Sequence, residues 1–278
     1  MKWQLAGGVA VVTGAASGIG RALAQRLARE GMSLALCDVN AAGLAESAAA
    51  ALTLAPRNAA SAPHVTSHIV DVGDAAQVTE FADEVVAAHG RVTLLLNNAG
   101  VAIHGQFEDL SLDDFDWLMR INFWGVVNST KIFLPILRRE QRAHIANLSS
   151  IFGIIAPPGQ TAYCASKFAI RGFTESLRNE LAGSNVGVSC VHPGGIRTRI
   201  AADARVASGA SGEAATYAEE FDRVARHSPE FAAAKIVGGV KRNKARILIG
   251  GEAYALDAAQ RIAPSQLSKL LQRGRGPR

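Results

Sequence analysis

Tyr163 and Lys167 stand four residues apart, so on a helix they share one face. A free tyrosine, with a pKa near ~10, is a poor base at neutral pH. A cation one turn away stabilises the phenolate and makes the phenol a usable acid or base. A lone Tyr-x-x-x-Lys is otherwise a surface pair. Here, however, Ser150 lies thirteen residues upstream of Tyr163, at the end of an apolar run that reads as a strand. Its hydroxyl can hydrogen-bond a substrate oxygen, and the spacing favours it over its neighbour Ser149. A second pattern joins an apolar strand to a helix: Thr13-Gly14-Ala15-Ala16-Ser17-Gly18-Ile19-Gly20. Glycine lets the backbone turn tightly and approach a diphosphate closely. The helix start behind the loop offers free N–H groups and a positive dipole end. Asp38 ends the next apolar run, 18 residues after Gly20. A carboxylate there can accept both hydroxyls of an adenosine ribose and repels a 2′-phosphate. Its bland alternative is an Asp that starts a turn or caps the alanine-rich stretch after it.

These residues need a scaffold, and the rest of the chain provides one. Strands are expected at 9–13, 33–38, 65–70, 92–96, 143–148, 186–191 and 246–249. Helices are expected at 19–30, 41–54, 75–89, 158–181, 229–241 and 252–262. Ser111 reads as the N-cap of a further long helix to about Arg139, with Asp113 and Asp114 in its first turn and a bend expected at Pro135. Apolar strands alternating with helices indicate a parallel sheet covered on both faces. The expected class is therefore α/β: one doubly wound domain over 1–278, a seven-stranded parallel sheet with helices on both faces. Residues 199–229, rich in Ala, Ser and Gly, are expected to form an irregular lid over the substrate. Residues 264–278 are expected to be a basic tail.

Composition narrows the class. Of the 278 residues, 49% are apolar and 19% charged, which excludes a disordered chain. No stretch is apolar enough for a membrane span, and the N-terminus has no signal-peptide pattern. The three cysteines (Cys37, Cys164 and Cys190) fit neither a metal spacing nor a disulfide framework, so a reducing, cytoplasmic setting is expected. The seven histidines are scattered, and no metal is expected. The net charge of +5 draws on Lys241, Arg242, Lys244 and Arg246 and on Lys269, Arg273, Arg275 and Arg278. No nucleic-acid motif accompanies them, so a solvated helix end and a frayed tail are expected, not a nucleic-acid site.

With these patterns in place, the chain resembles the short-chain dehydrogenase/reductase family, whose fold is of the Rossmann type. The resemblance rests on T-G-x-x-x-G-x-G at 13–20, Asn97-Asn98-Ala99-Gly100, Ile121-Asn122-Phe123-Trp124-Gly125, Ser149-Ser150, Tyr163-Cys164-Ala165-Ser166-Lys167 and His192-Pro193-Gly194-Gly195-Ile196-Arg197-Thr198. It is dense over residues 5 to about 200. It implies hydride transfer between a nicotinamide cofactor, NAD over NADP given Asp38, and an alcohol or ketone. The implied catalytic set is Asn122, Ser150, Tyr163 and Lys167, with Asn122 holding a water that relays protons to Lys167. Gly14, Ser17, Gly18, Ile19, Gly20 and Asp38 would hold the adenosine diphosphate end. Asp71, next to Val72, would meet the adenine amino group, and Asn98, Ala99 and Gly100 would lie along the ribose. Lys167 would bind the nicotinamide ribose, and Ile196 and Thr198 the carboxamide. Gly195 stands where many members carry a larger residue, which is expected to loosen that loop.

Substrate residues in the family come from segments that are here 101–106, 151–160 and 200–228. A pocket of Ile103, Phe152, Ile154 and Ile155 would suit an apolar secondary alcohol. Two rivals are an NADPH-linked carbonyl reductase and a non-catalytic module that senses nucleotide. Ser17 and Val39 stand where the first would carry a basic residue, and the complete catalytic set argues against the second. A homo-oligomer, dimer or tetramer, is expected. Phe123, Val127, Phe133 and Leu134 on one long helix and Phe168, Phe173 and Leu177 on the other exceed what packing on the sheet requires.

Overall fold

The computed structural model describes residues 3–56, 63–207, 219, 221 and 223–273. Its first half runs β1 (Val9–Thr13), α1 (Gly18–Arg29), β2 (Ser33–Asp38), α2 (Ala41–Leu54), β3 (Val65–Ile69), α3 (Ala75–His89) and β4 (Leu94–Asn97). A two-residue strand, β5 (Ile103–His104), precedes α4 (Leu112–Met119), a π-helical turn (Arg120–Trp124) and α5 (Gly125–Leu137). Then come β6 (Ala143–Leu148), α6 (Thr161–Glu180), β7 (Val186–Pro193), β8 (Arg205–Val206), α7 (Pro229–Val240), β9 (Arg246–Ile249), α8 (Gly251–Ile262) and α9 (Pro264–Arg273).

Seven strands form one parallel sheet in the order β3-β2-β1-β4-β6-β7-β9. β1, β4 and β6 are buried along their whole length, as their unbroken apolar runs require. One face packs on α1, α2 and α7 through residues such as Leu23, Leu27, Ile236 and Val240. The other packs on α3, α5 and α6 through Val78, Phe81, Phe133 and Leu177. The chain steps outward from β1 to β3, then crosses back to place β4 on the other side of β1. The crevice that opens at this reversal, outside the carboxyl ends of β1 and β4, is where open α/β sheets bind ligands.

Local chemistry sets the element ends. Asn40, Asp74, Ser111 and Ser228 each accept a backbone N–H in the first turn of the helix they cap. Gly31 and Gly90, both at positive φ, end α1 and α3.

Four expectations are corrected. The long helix after Ser111 is not regular: five residues around Asn122 widen into the π-turn before α5 resumes. Residues 264–273 are not a frayed tail but α9, with Pro264 at its first position, where the missing N–H costs nothing. Leu267 and Leu271 of that helix cover Ile151, Ile154 and Ile155. In the first basic stretch, Lys241 pairs with Glu30 and Arg246 with Asp257, each at 2.8 Å, so those two charges are neutralised within the fold. Phe133 and Leu177 lie in the chain's own core, which leaves Trp124 and Phe168, 53% and 40% exposed, to offer the apolar face of α5 and α6. Much of the expected lid, including 208–218, lies outside the described residues, as does the end of the tail.

Candidate active site

The glycine-rich loop after β1 is shaped by contacts that exclude side chains. A Cβ on Gly14 would come within 2.6 Å of Ala99 Cα, and one on Gly20 within 2.0 Å of the Gly14 carbonyl oxygen. Gly14 and Gly18 both hold positive φ. Ser17 occupies the N-cap of α1, but its side chain accepts no cap hydrogen bond. The first-turn amides are thus left to an anionic group from outside, as a diphosphate requires. The Ile19 side chain is partly buried and packs against the core.

Loops from neighbouring strands lock this one in place. Thr13 Oγ1 accepts the N–H groups of Asn98 and Ala99, both at 3.0 Å. The Asn98 amide donates to the carbonyls of Thr13 and Gly14, both at 2.9 Å. The Asn98 side chain therefore holds the loop. Asn97, its neighbour, is buried and bonds Thr130 and Asn147 across the sheet. At the end of β2, the Asp38 carboxylate accepts N–H bonds from Ala16 (2.9 Å) and Asn40 (3.0 Å), which fixes it beside the glycine loop. Among the described residues no basic side chain pairs with it: Arg21 is spent on Ala16 O, Gly43 O, Ser47 and Glu46. These residues fit the adenosine end of a dinucleotide.

Asp71 follows β3. Its carboxylate accepts the Gly73 N–H and pairs with Arg120 at 2.8 Å. Arg120, from the π-turn, is a partner the sequence did not reveal. Val72 beside it packs on the start of α5, where a Cβ on Gly125 would meet Val72 Cγ2 at 2.6 Å.

The polar set gathers beyond β4 and β6. Lys167 is only 3% exposed; its Nζ donates to Leu148 O at 3.1 Å and lies 5.4 Å from the centroid of the Tyr163 ring. Burial pushes its pKa down to about 8, so it remains a cation at neutral pH. Ser149 and Ser150 divide their work. Ser149 Oγ donates to Lys167 O at 2.8 Å and so braces α6. Ser150 Oγ accepts the Phe152 N–H at 3.1 Å, and the Phe152 ring meets Tyr163 edge-on at 6.2 Å. Behind Ser150, His192 Nδ1–H donates to Ser150 O at 3.0 Å, and burial drives that histidine down to about 4, so it is neutral.

Asn122 owes its position to the π-turn. Its Oδ1 accepts the Val101 N–H (2.8 Å), and its amide donates to Val101 O (3.0 Å) and Ser166 Oγ (3.1 Å). Ser166 Oγ in turn donates to Tyr163 O. Both amide N–H groups are committed, and Oδ1, which accepts one N–H, keeps a lone pair for a further donor such as water. Gly100 sits between the two partners of the expected proton relay: a Cβ there would lie 3.2 Å from Asn122 Oδ1 and 3.4 Å from Lys167 Nζ. After β7, Ile196 is buried, while Thr198 rests against the glycine loop, its Cγ2 3.1 Å from where a Gly18 Cβ would be.

The expected apolar pocket is corrected. Ile154 and Ile155 are 2% and 3% exposed and pack under α8 and α9, so they face core. Ile103 is equally buried, against Leu118, Ala162 and the partly buried Tyr163. Phe152 alone of the four keeps a place beside the phenol with part of its surface open. The sequence also missed the small β5–β8 pairing, which ties the loop after β4 to the chain after β7. Arg205 of β8 stacks 3.6 Å over Trp117 and pairs with Asp114.

Comparison with known proteins agrees with this geometry. The short chain dehydrogenase family profile matches residues 8–208. SadH of Mycobacterium tuberculosis, which is named as an oxidoreductase, is 47% identical over 271 residues, covering 96% of this chain and 95% of its own. The 3-oxoacyl-[acyl-carrier-protein] reductase FabG of Thermotoga maritima is 35% identical over 195 residues, 70% of this chain and 76% of its own. Among solved structures, a short chain dehydrogenase/reductase from Burkholderia phymatum in complex with NAD superposes with a TM-score of 0.83 at 31% identity, covering 99% of this chain and 98% of the other. Levodione reductase does so with a TM-score of 0.78 at 29% identity, covering 90% and 99%. With the fold, the ordered motifs and these relatives in agreement, the chain belongs to the short-chain dehydrogenase family of oxidoreductases.

Proposed function

We propose that the chain is an NAD(H)-linked alcohol dehydrogenase or ketone reductase. The observation that carries this is the buried Lys167 ammonium over the Tyr163 ring, beside the loop that bears Ser150. When bound, the nicotinamide supplies the two-electron acceptor or donor. In the oxidative direction Tyr163 takes the alcohol proton at its phenolic oxygen; in reduction it gives the proton back. Lys167 stabilises the charge on that oxygen and holds the nicotinamide ribose. Ser150 Oγ orients the substrate oxygen. The proton on Tyr163 is exchanged through the Lys167 ammonium with a water that Asn122 would hold, the Asn122 and Lys167 side chains lying on either side of Gly100.

The Asp38 carboxylate, with no basic partner among the described residues, favours a ribose diol over a 2′-phosphate, and the NAD complex of the Burkholderia phymatum relative supports the same choice. An apolar secondary alcohol is the proposed substrate, set against Phe152. Three free, buried cysteines suit a reducing cytoplasm. The exposed apolar face of α5 and α6 suits a homodimer or homotetramer.

The test is titration with NADH and NADPH, followed by turnover of apolar secondary alcohols and ketones in the wild type and in Tyr163→Phe. NADH is expected to bind more tightly than NADPH. Tyr163→Phe is expected to keep NADH affinity and to lose roughly 10²-fold or more of its turnover, the scale of a removed acid/base group. Turnover within a few-fold of wild type rules this reading out.

A further inference from the structure

Glu252 stands in the first turn of α8, outside every motif that marks the site. Its Oε1 accepts the Gly195 N–H at 3.1 Å, and His227 Nε2 lies 3.2 Å from its Oε2. Gly195 and His227 are the two ends of the excursion that follows β7. His227 N–H donates to Gly195 O (3.1 Å), Arg197 N–H donates to His227 O (2.8 Å), and Ile196 and His227 form a parallel bridge. The segments on either side of the excursion meet at this one bridge, and a single carboxylate contacts both of them. The His227 ring is stacked on Phe231, with centroids 4.8 Å apart.

The backbone is cleared to admit this carboxylate. A Cβ on Gly194 or on Gly250 would lie 2.2 Å from Glu252 Oε1, and Gly250 also holds positive φ. A Cβ on Gly195 would lie 2.4 Å from Val224 O. Gly195, which the sequence suggested would loosen the loop, instead lets the crossing close. Partial burial opposes ionisation of Glu252. Hydrogen bonds from its own N–H, from His227 and from Gly195 outweigh that, and its pKa falls below the usual carboxylate range. A partly exposed contact of this kind adds little to stability. Its consequence is local, because the anchored residue directly precedes Ile196, and Thr198 lies against Gly18 of the glycine loop.

We propose that Glu252 is a positioning residue that fixes the 195–198 segment against the glycine loop, in the arrangement that grips the nicotinamide end of the dinucleotide. This rests on the reading that NAD(H) binds here with its nicotinamide at Ile196 and Thr198.

The test compares NADH with ADP-ribose, which lacks the nicotinamide, by calorimetric titration of the full chain. Wild type binding both, with NADH the tighter, upholds the underlying reading; binding neither removes that reading and this proposal together. Glu252→Ala is expected to weaken NADH about tenfold or more, the scale of lost hydrogen bonds to a charged group, while ADP-ribose stays within about twofold. Glu252→Gln keeps an oxygen acceptor for the Gly195 N–H and is expected to recover most of the loss. His227→Asn, which leaves the Gly195 N–H bond to the carboxylate in place, is expected to give a smaller loss with the same selectivity. Equal weakening of both ligands reduces Glu252 to a fold-supporting residue and overturns the proposal, as does unchanged NADH affinity. If Glu252→Ala does not fold, His227→Asn decides: without an NADH-selective loss, the proposal fails.

Discussion

Lys167 is the residue at which function and stability oppose each other most directly. A cation buried this deeply, donating to the Leu148 carbonyl, is held at a cost that appears as the fall in its pKa to about 8. Lys167→Met replaces it with an apolar chain of similar length. The expected result is a near-complete loss of turnover together with a rise in stability of up to about 2–3 kcal/mol at pH 7, the scale of that shift. Thermal melting and the rate assay measure the two effects on one preparation. A fall in melting temperature counts against the burial argument. Ser150 and Ser149 illustrate the same scale: adjacent hydroxyls are separated in role because one points to a carbonyl of α6 and the other accepts an N–H beside the phenol.

At the scale of elements, the π-turn and α9 carry consequences that the regular helices do not. Widening the helix at 120–124 delivers both Asn122 to the loop after β4 and Arg120 to Asp71. π-turns inside α-helices recur at functional sites for this reason, since the extra residue re-aims side chains without ending the helix. α9 matters through Leu267 and Leu271, which roof the cluster beneath the Ser150 loop. Truncation after Ala263 is expected to lower stability by about 2 kcal/mol or more, the scale of burying one leucine, and to raise binding of an apolar dye. A truncated chain with an unchanged melting curve contradicts the packing described for α9.

For the whole molecule, titration and assembly are the informative properties. His89, His144 and His192 are held neutral chiefly by burial, at about 4, 3 and 4, below the ordinary 6.5. The unfolded chain takes up these protons near pH 6.5, and the folded chain does so only near pH 4 or below. Between those limits the unfolded state binds more protons, so stability falls as pH falls. By pH 5 the loss is expected to reach roughly 2 kcal/mol for each of the deeply buried His144 and His192, and less for the more open His89. Melting curves from pH 7.5 to 5 check this, and a flat profile contradicts it. Trp124, Phe168, Leu112 and Phe107 are large apolar side chains left exposed on the protomer. Light scattering after size exclusion at low micromolar concentration is therefore expected to give a dimer or tetramer, not the 29.1 kDa of one chain. Among the described residues no helix is long and apolar enough to cross a membrane.

The sequence alone determined whatever depends on short spacings. Tyr163 and Lys167 on one helix face, the glycines at 14, 18 and 20, Asp38 at a strand end and the alternation of apolar runs all follow from neighbours a few residues apart, where backbone geometry sets what is possible. α2, α3, β6 and β9 therefore fall where the pattern put them. Tertiary structure decided everything set by which surface a side chain meets. Ile154 and Ile155 read as pocket residues, yet a helix more than a hundred residues later covers them. Asn122 was expected inside a regular helix, and only the π-turn brings its amide to three hydrogen bonds, two with Val101 and one with Ser166. Arg120 and Glu252 carried no local signal, because their partners, at 71 and at 195 and 227, come from other elements, and the motif that opens at His192 did not reveal its bond to Ser150. Periodicity records which residues prefer burial or a given turn; it holds no information on which distant group completes a hydrogen bond, and only packing supplies that.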